Sequence, residues 1–549
     1  MQKPKLDYFS PLPPIRSGIA DYSKELLTHL KKYFDITIFV DDNYNPPPLK
    51  GLSIKNYKEY KRGNPTIYNI GNNSQHNYIY HTLLKNPGII ILHDTVLHDL
   101  NFGMMQDRWS KAKFLVHVYN EEGIFAVINY LKFMLAKKTL KKNNSTKKEG
   151  LEFLQGVYPL EKDGENHFRW TAKKASFYIH EKNISEIAMQ VYTQYPAKVI
   201  LTIDGEKEKF ILKVDKYQWI TTKISPAKKT EIKIHVIKPL SFLSIIKDKH
   251  ARNLGIKISK ITYTKNDMVY DLPIANNDNI TQVYRLTKKM EELKEKIRFS
   301  YPLHKKIIRC AKAIITHSKH AKKIVAKINQ KIPLEVINMG VNNNQPKKTK
   351  ENLKKDNALQ NKQLVVCSFG LIQKHKRIAQ ALNAFAIFAK ENKNSCYLLI
   401  GQIDESLNIQ KLIKKYNLQE KVIRTGHLTN NKAMEYIAAS DVCINLRGPS
   451  TGATSASLIK SLSVSTPCII SDLPENQEFP NSCVIKIKND KNEIRTIAQK
   501  LNYLKEHSSI LKEMSKSALE YTKENHQWDK NAKKIQEFIK KVYHENSNS

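Results

Sequence analysis

The chain has 549 residues, enough for roughly three or four domains, and its 41% hydrophobic content supports ordinary globular cores. Lysine and arginine (91) outnumber aspartate and glutamate (52), giving a formal net charge of +39, yet no zinc-finger spacing and no RNA-binding aromatic signature accompany the excess. The six cysteines are scattered, which argues against a disulfide framework or a cysteine metal site; no apolar run reaches the about 18 residues of a membrane span, and the N-terminus lacks the apolar stretch of a signal peptide.

In chain order, "LDYFS" reads as a strand and "GIADYSKELLTHLKKY" as an amphipathic helix. Between them lie three prolines and Gly18, a stiff turn that suits either a phosphate or sugar cradle or a plain connection. "DITIFV", "TIYNIG" and "GIIILHD" continue an alternation of strands and helices, which implies parallel βαβ units in a doubly wound sheet. Residues just past such strand ends line the ligand crevice. That rule places Gly18, Gly71 with Asn72 and Asn73, and His93 with Asp94 on one rim.

Near residue 140 the pattern changes. "AKKTLKKNNSTKKEG" reads as a charged, solvated loop. From about 155 to 265 the runs alternate as strands do ("ASFYIH", "EIAMQVY", "KVILTIDGEKEKFILKV", "EIKIHVI", "LGIKISKITYT"), with a hairpin signal at Asp204-Gly205. Short strands at this spacing suggest a β-sandwich. Helical patterns return from about 277, and a polar linker precedes a second α/β series ("QLVVCSF", "CYLLIG", "KVIRTGH", "DVCINLR", "TPCIISD", "CVIKI"). The expected organisation is a first α/β domain over 1–149 and 267–344, interrupted by an all-β domain over 150–266. A linker (345–362) and a second α/β domain with terminal helices (363–549) follow.

Seven segments in this order, "SPLPPIRSGIADYS", "IGNNSQHNYIY", "ILHDTVLHDL", "THSKHA", "VINMGV", "SFGLIQKHKR" and "DVCINLRGPSTGATSASL", resemble the nucleotide-sugar glycosyltransferases of GT-B architecture, family 4 type. The β insert resembles a sandwich appended in some bacterial members. The resemblance implies α/β architecture with two Rossmann-like doubly wound domains, the inserted all-β sandwich, and a hexosyltransferase. Such an enzyme moves a sugar from a nucleotide diphosphate-sugar to a cell-surface glycan or lipid-linked acceptor, with retention. It implies no bound metal or other cofactor.

Carried over by position, the resemblance puts Gly18, Lys376, Arg377, Gly452, Thr454 and Ser455 on the donor. It puts Asn72 and Asn73 on the acceptor side, and His93 and Glu478 in catalysis. The residue chemistry agrees, because a departing diphosphate is stabilised by fixed cations and by amides at a helix N-terminus. The sequence also departs from the pattern. Where many members carry two glutamates separated by seven residues, Gly452 and Lys460 stand here. A Gly-Glu-Thr-Ser variant has its glutamate at Ala453, and a frequent arginine falls at Leu371.

The alternative is therefore a weak or inactive nucleotide-sugar or glycan-binding protein of the same fold. His93 also reads as a core histidine, Lys376 and Arg377 as two of many basic residues, and Glu478 as a turn cap, while Trp170 and Trp219 read either as core aromatics or as rings that stack on a sugar. The charge suits an anionic membrane surface or phosphorylated substrates, with lysine-rich genomic bias as the bland account. Nucleic acid is not an expected partner. The expected location is cytoplasmic, peripheral on the inner face of the membrane.

Overall fold

Isoleucine-, valine- and leucine-rich strands separated by helices build two parallel sheets in the computed structural model, because parallel neighbours need a crossover and the crossover helices bury both sheet faces. The structure describes residues 3–544 apart from 16, 108–109, 146–150, 164–165, 180–183, 194–196, 204–205, 224–229, 238–253, 266–267, 273–292, 343–344 and 405–406. The first lobe begins with β1 (Lys5–Phe9), α1 (Gly18–Leu30), β2 (Asp35–Val40), β3 (Ser53–Asn56), β4 (Thr66–Ile70), α2 (Asn77–Lys85) and β5 (Ile89–Leu92). It continues through α3 (His98–Asp107), α4 (Lys111–Glu122) and α5 (Ile124–Ser145). The helix α5 occupies much of the stretch expected as a solvated loop. No glycine or proline interrupts the sequence from 124 to 149, and its leucine, alanine and lysine favour helix.

Nine strands, β6 (Leu151–Asp163), β7 (Asn166–Ile179), β8 (Glu186–Tyr192), β9 (Ala197–Ile203), β10 (Glu206–Leu212), β11 (Gln218–Lys223), β12 (Thr230–Ile237), β13 (Leu254–Lys265) and β14 (Met268–Leu272), follow. They pair antiparallel in the order β10-β9-β12-β7-β13-β8-β11, with β14 on β13 and β6 on β7. Alternate residues such as Ile187, Met189 and Val191 are buried, as a sheet with one apolar face requires. The Asp204-Gly205 signal lies outside the described residues; β9 and β10 on either side of it pair with Glu206 opposite Ile203.

The first lobe resumes with α6 (Lys305–Cys310), β15 (Ala313–Thr316), α7 (Lys319–Ile328) and β16 (Leu334–Val336). Its seven-stranded sheet has the order β16-β15-β5-β4-β1-β2-β3, parallel throughout. Part of the expected linker is a helix, α8 (Lys350–Asp356), capped by the Thr349 side chain, which accepts from the Asn352 amide.

The second lobe comprises β17 (Leu364–Phe369), α9 (Ile378–Glu391), β18 (Ser395–Ile400), α10 (Ile409–Lys415), β19 (Val422–Gly426), α11 (Asn430–Ala439) and β20 (Val442–Asn445). It ends with α12 (Ala456–Ser463), β21 (Cys468–Ser471), β22 (Val484–Ile487), α13 (Glu493–Glu506) and α14 (Ser508–Asn525). Its parallel sheet has the order β19-β18-β17-β20-β21-β22. Helix α15 (Trp528–His544) returns to the first lobe and packs on α1. There the Trp528 indole donates to Glu25 (3.0 Å), and the Tyr543 hydroxyl accepts from the Thr66 amide (3.1 Å). The chain thus divides into one unit of Met1–Val127 with Arg298–Ser549, holding both parallel sheets, and a second unit of Ile128–Ile297.

Candidate functional site

Each parallel sheet runs outward in both directions from an early strand, so the loops after two neighbouring strands diverge and leave a crevice. In the first lobe these loops follow β1 and β4; in the second they follow β17 and β20. The two crevices face a shared cleft of about 840 Å³, whose walls include Pro14, Gly18, Lys376, Arg447, Ser457 and Lys460. Gly18 opens α1, where the Ser17 side chain accepts the Ile19 amide. A Cβ on Gly18 would meet nothing within 4 Å, so the wall there is bare backbone beside a helix N-terminus.

Opposite, Lys376 lies in a tight turn before α9, and its ammonium donates to the Phe369 carbonyl at 2.8 Å. Burial first, and then the neighbouring Arg447, push that ammonium down to about 7. Arg447 follows β20. Its guanidinium donates to the Ser455 hydroxyl (3.0 Å), while its Nε is buried with no partner. Among the described residues neither cation forms an ion pair, although Asp94 and Glu475 act on the Arg447 charge from a distance. Ser455 caps α12 by accepting the Leu458 amide, and it donates to Asn445 (3.1 Å). Ala456 and Ser457, the first residues of α12, line the cleft. Two cations without a paired carboxylate among the described residues, beside a capped helix N-terminus, make an arrangement whose chemistry suits an anion.

The structure places other expected donor residues differently. Arg377 turns away from the cleft and clasps the buried Glu493 with both Nε (2.7 Å) and an outer nitrogen. A buried carboxylate demands such a partner, so this arginine fastens α9 to α13. Gly452 sits at φ +68°, and a Cβ there would come within 2.1 Å of the Thr95 hydroxyl. Its glycine serves the close approach of the two lobes, where the Thr95 amide and hydroxyl both donate to the Thr451 carbonyl at 3.0 Å. Thr454 likewise donates to the His317 carbonyl (3.2 Å). Glu478 accepts the Lys319 amide at the start of α7, a second tie between lobes.

On the first lobe, His93 is buried with Nε2 against the Asn69 amide oxygen (3.1 Å), and its ring packs edge-on against Tyr22 and beside His317. Burial, then the two neighbouring histidines, hold it well below the usual imidazole range, so it is neutral at pH 7. Tyr22, not His93, is the ring that lines the cleft. The Asn72 side-chain oxygen accepts the Asp99 (2.7 Å) and Leu100 (3.1 Å) amides at the start of α3. Asn73 caps the next turn through the Gln75 amide. Beside them Asp94 accepts the Asn72 amide (3.2 Å), and burial pushes its carboxyl up to about 6. The structure therefore gathers Gly18, Lys376 and the Ser455 end of α12 at the cleft. It commits Arg377, Gly452, Thr454, Asn72, Asn73 and Glu478 to contacts within the protein.

Arg447 and Glu475 carried no mark in the sequence. Arg447 ends "DVCINLR", and its position just past the fourth strand of a doubly wound sheet was the available signal. Glu475 is buried and accepts the Ser450 hydroxyl at 2.7 Å, holding the loop that carries Arg447. Three residues on, Glu478 is the more visible acid in the sequence, but only burial separates the two.

Among the described residues, no group of three or more histidine, cysteine, aspartate or glutamate side chains is placed to hold a metal, and no helix is long and apolar enough to cross a membrane. Residues 349–535 match the family model for glycosyl transferases group 1. The chain is 21% identical over 293 residues, 53% of its length and 72% of the relative's, to MJ1069 of Methanocaldococcus jannaschii, described as an uncharacterized glycosyltransferase. Its fold is similar to sucrose-phosphate synthase from Thermosynechococcus elongatus (17% identity, 44% of this chain, TM-score 0.39), of which it spans 61%. It is also similar to Anabaena Alr3699/HepE in complex with UDP-glucose (12% identity, 47% of this chain, 76% of that one, TM-score 0.39). The second lobe carries a group 1 glycosyltransferase domain.

Proposed function

We propose, with the group 1 glycosyltransferase domain as premise, that this chain transfers a hexose from a nucleotide diphosphate-sugar to a cell-surface glycan or lipid-linked acceptor. The observation that carries the reading is the cleft face of Lys376 and Arg447, two cations with no carboxylate partner beside the N-terminus of α12. As the bond from the anomeric carbon to the diphosphate breaks, negative charge gathers on the departing oxygen. Fixed cations and amides aimed at that oxygen lower the barrier. In a retaining transfer the acceptor oxygen bonds to the same carbon on the same face, and its proton leaves with the diphosphate. The bare backbone at Gly18 leaves room for the phosphates to approach α1.

His93 and Glu478 are assigned positioning roles. His93 backs Tyr22 at the cleft wall, and Glu478 ties α7 to the second lobe. Residues 150–266 are proposed as an appended β-sandwich that takes no part in donor binding, and the enzyme is proposed to work at the inner face of a membrane.

One observation favours a second reading. Lys460, at a position where members of the resembled family carry a glutamate, pairs with Glu25 across the cleft (3.4 Å). That change favours a binder of nucleotide sugars with little turnover. The deciding experiment is a screen of nucleotide diphosphate-sugars by calorimetry, followed by hydrolysis and transfer assays with a glycan extract. Binding with turnover that Arg447→Ala abolishes supports the enzyme. Tight binding with no turnover selects the second reading, and no binding to any donor overturns both.

A further inference from the structure

The helix α5 has an inverted surface. At about 100° per residue, Ile124, Phe125, Ile128, Leu131 and Leu135 fall within an arc of about 120°. All five are exposed, Phe125 by 77% and Leu135 by 63%. Ala126, Tyr130 and Phe133, on the opposite side, are buried. A surface helix normally turns charged and polar residues outward; this one is apolar on both faces. The preceding helix α4 exposes Val116 and Tyr119 as well. The exposed charged residues of these two helices, among those described, are Lys111, Lys113 and Lys132. Their two glutamates are withdrawn: Glu121 is buried and accepts the amides of Lys305 and Lys306 (both 2.6 Å), and Glu122 pairs with the Lys305 ammonium (2.8 Å).

We propose that the outer face of α5 lies in the interface of an anionic lipid bilayer, its apolar side chains entering the acyl boundary and Lys132 meeting the headgroups. The charge decides the occupant. A protein partner requires a complementary acidic rim on the other side, whereas an anionic bilayer supplies apolar depth and negative charge together. Long lysine side chains reach headgroups while their stems stay among apolar neighbours. The inference rests on the membrane-face reading above and supplies its surface.

The test is flotation of the full-length protein with phosphatidylcholine vesicles, with and without phosphatidylglycerol, at low and high salt. The wild type should float with anionic vesicles at low salt. Phe125→Ser with Leu131→Ser, both on exposed positions, should weaken partition at least about tenfold while leaving the melting temperature unchanged. Lys132→Glu should weaken binding to anionic vesicles only. A Phe125→Trp variant should show added fluorescence quenching by brominated lipid, which a merely electrostatic contact would not give. A wild type that stays in the lower fraction at low salt overturns the proposal, as does a double serine variant that floats like the wild type. A concentration-dependent dimer that the double variant abolishes, with no vesicle binding, assigns the face to a second copy and also overturns it. None of these readouts uses a nucleotide, so failure here leaves the transferase reading standing, and failed transfer leaves this one.

Discussion

The two lobes meet the cleft with different electrostatics. In the first lobe Asp99 is matched by Arg298, Asp94 by the Asn72 amide, and Glu25 of α1 by the Trp528 indole and by Lys460 of the second lobe. In the second lobe Lys376 and Arg447 stand partly buried without a carboxylate. Holding a cation out of water without an anion is costly. Under the proposed function, two such cations side by side would be matched by an anionic ligand. Arg377 is the control within the same turn: one residue from Lys376, also a basic side chain, and matched by Glu493. On that reading a matched charge serves the fold, and an unmatched one is left for the proposed ligand.

The comparison breaks most visibly at Arg377. Replacing it by alanine strands the buried Glu493 and should cost about 3 kcal/mol, the low end for a broken buried pair because the arginine keeps some exposure. Denaturant unfolding measures this, and the surviving folded fraction should bind donor as the wild type does. A variant with normal stability and lost affinity would put Arg377 in the cleft and reverse the assignment.

Lys376→Ala and Arg447→Ala should do the opposite. Each removes a charge-assisted bond to the diphosphate worth about 1.5–3 kcal/mol, a tenfold or greater loss of donor affinity by calorimetry. Neither should cost as much stability as Arg377→Ala, since no paired carboxylate loses its cation. A stability loss equal to that of Arg377→Ala would show that these cations serve the fold after all.

A pH titration sharpens the contrast further. The Lys376 ammonium sits at about 7 in the empty cleft, and a bound diphosphate raises it. Donor binding must then take up a proton once the pH exceeds about 7, so affinity should fall by up to about tenfold per pH unit above that point. Lys376→Met should flatten the slope. For stability the sign is the reverse. Between about 7 and the ordinary lysine value the unfolded chain holds the proton that the folded chain has released, so this group's contribution to stability rises with pH in that window.

The smallest effect is expected from the second unit. Replacing 150–266 by a short linker should leave donor affinity within about twofold, because the described residues that line the cleft belong to the unit of Met1–Val127 with Arg298–Ser549. A larger change would bring the nine-stranded unit into the donor site.

Local pattern was enough to mark the parallel strands. Runs such as Ile89–Leu92 and Leu364–Phe369 bury both faces and are bounded by polar residues and amphipathic helices, a signal that needs no distant partner. The helix starts at Gly18 and Ser455 were legible for the same reason: glycine and a capping serine act on backbone a few residues away. The extent of α5 was within reach too, since an unbroken run of helix formers outweighs a high charge density.

Which basic residue faces the ligand was not legible. Lys376 and Arg377 are neighbours of like charge, and what separates them is Glu493, more than a hundred positions away and adjacent only once α9 packs on α13. The same holds for Gly452, whose missing side chain answers Thr95 on the other lobe, and for Arg447, whose value depends on Lys376 beside it and on carboxylates that stay out of reach. The sequence by itself determined the elements and the loops from which a site could be built, because secondary structure follows from short-range periodicity and capping. Only the tertiary structure decided which charges are matched, because pairing is a contact between residues distant in the chain, and burial sets what an unpaired charge costs.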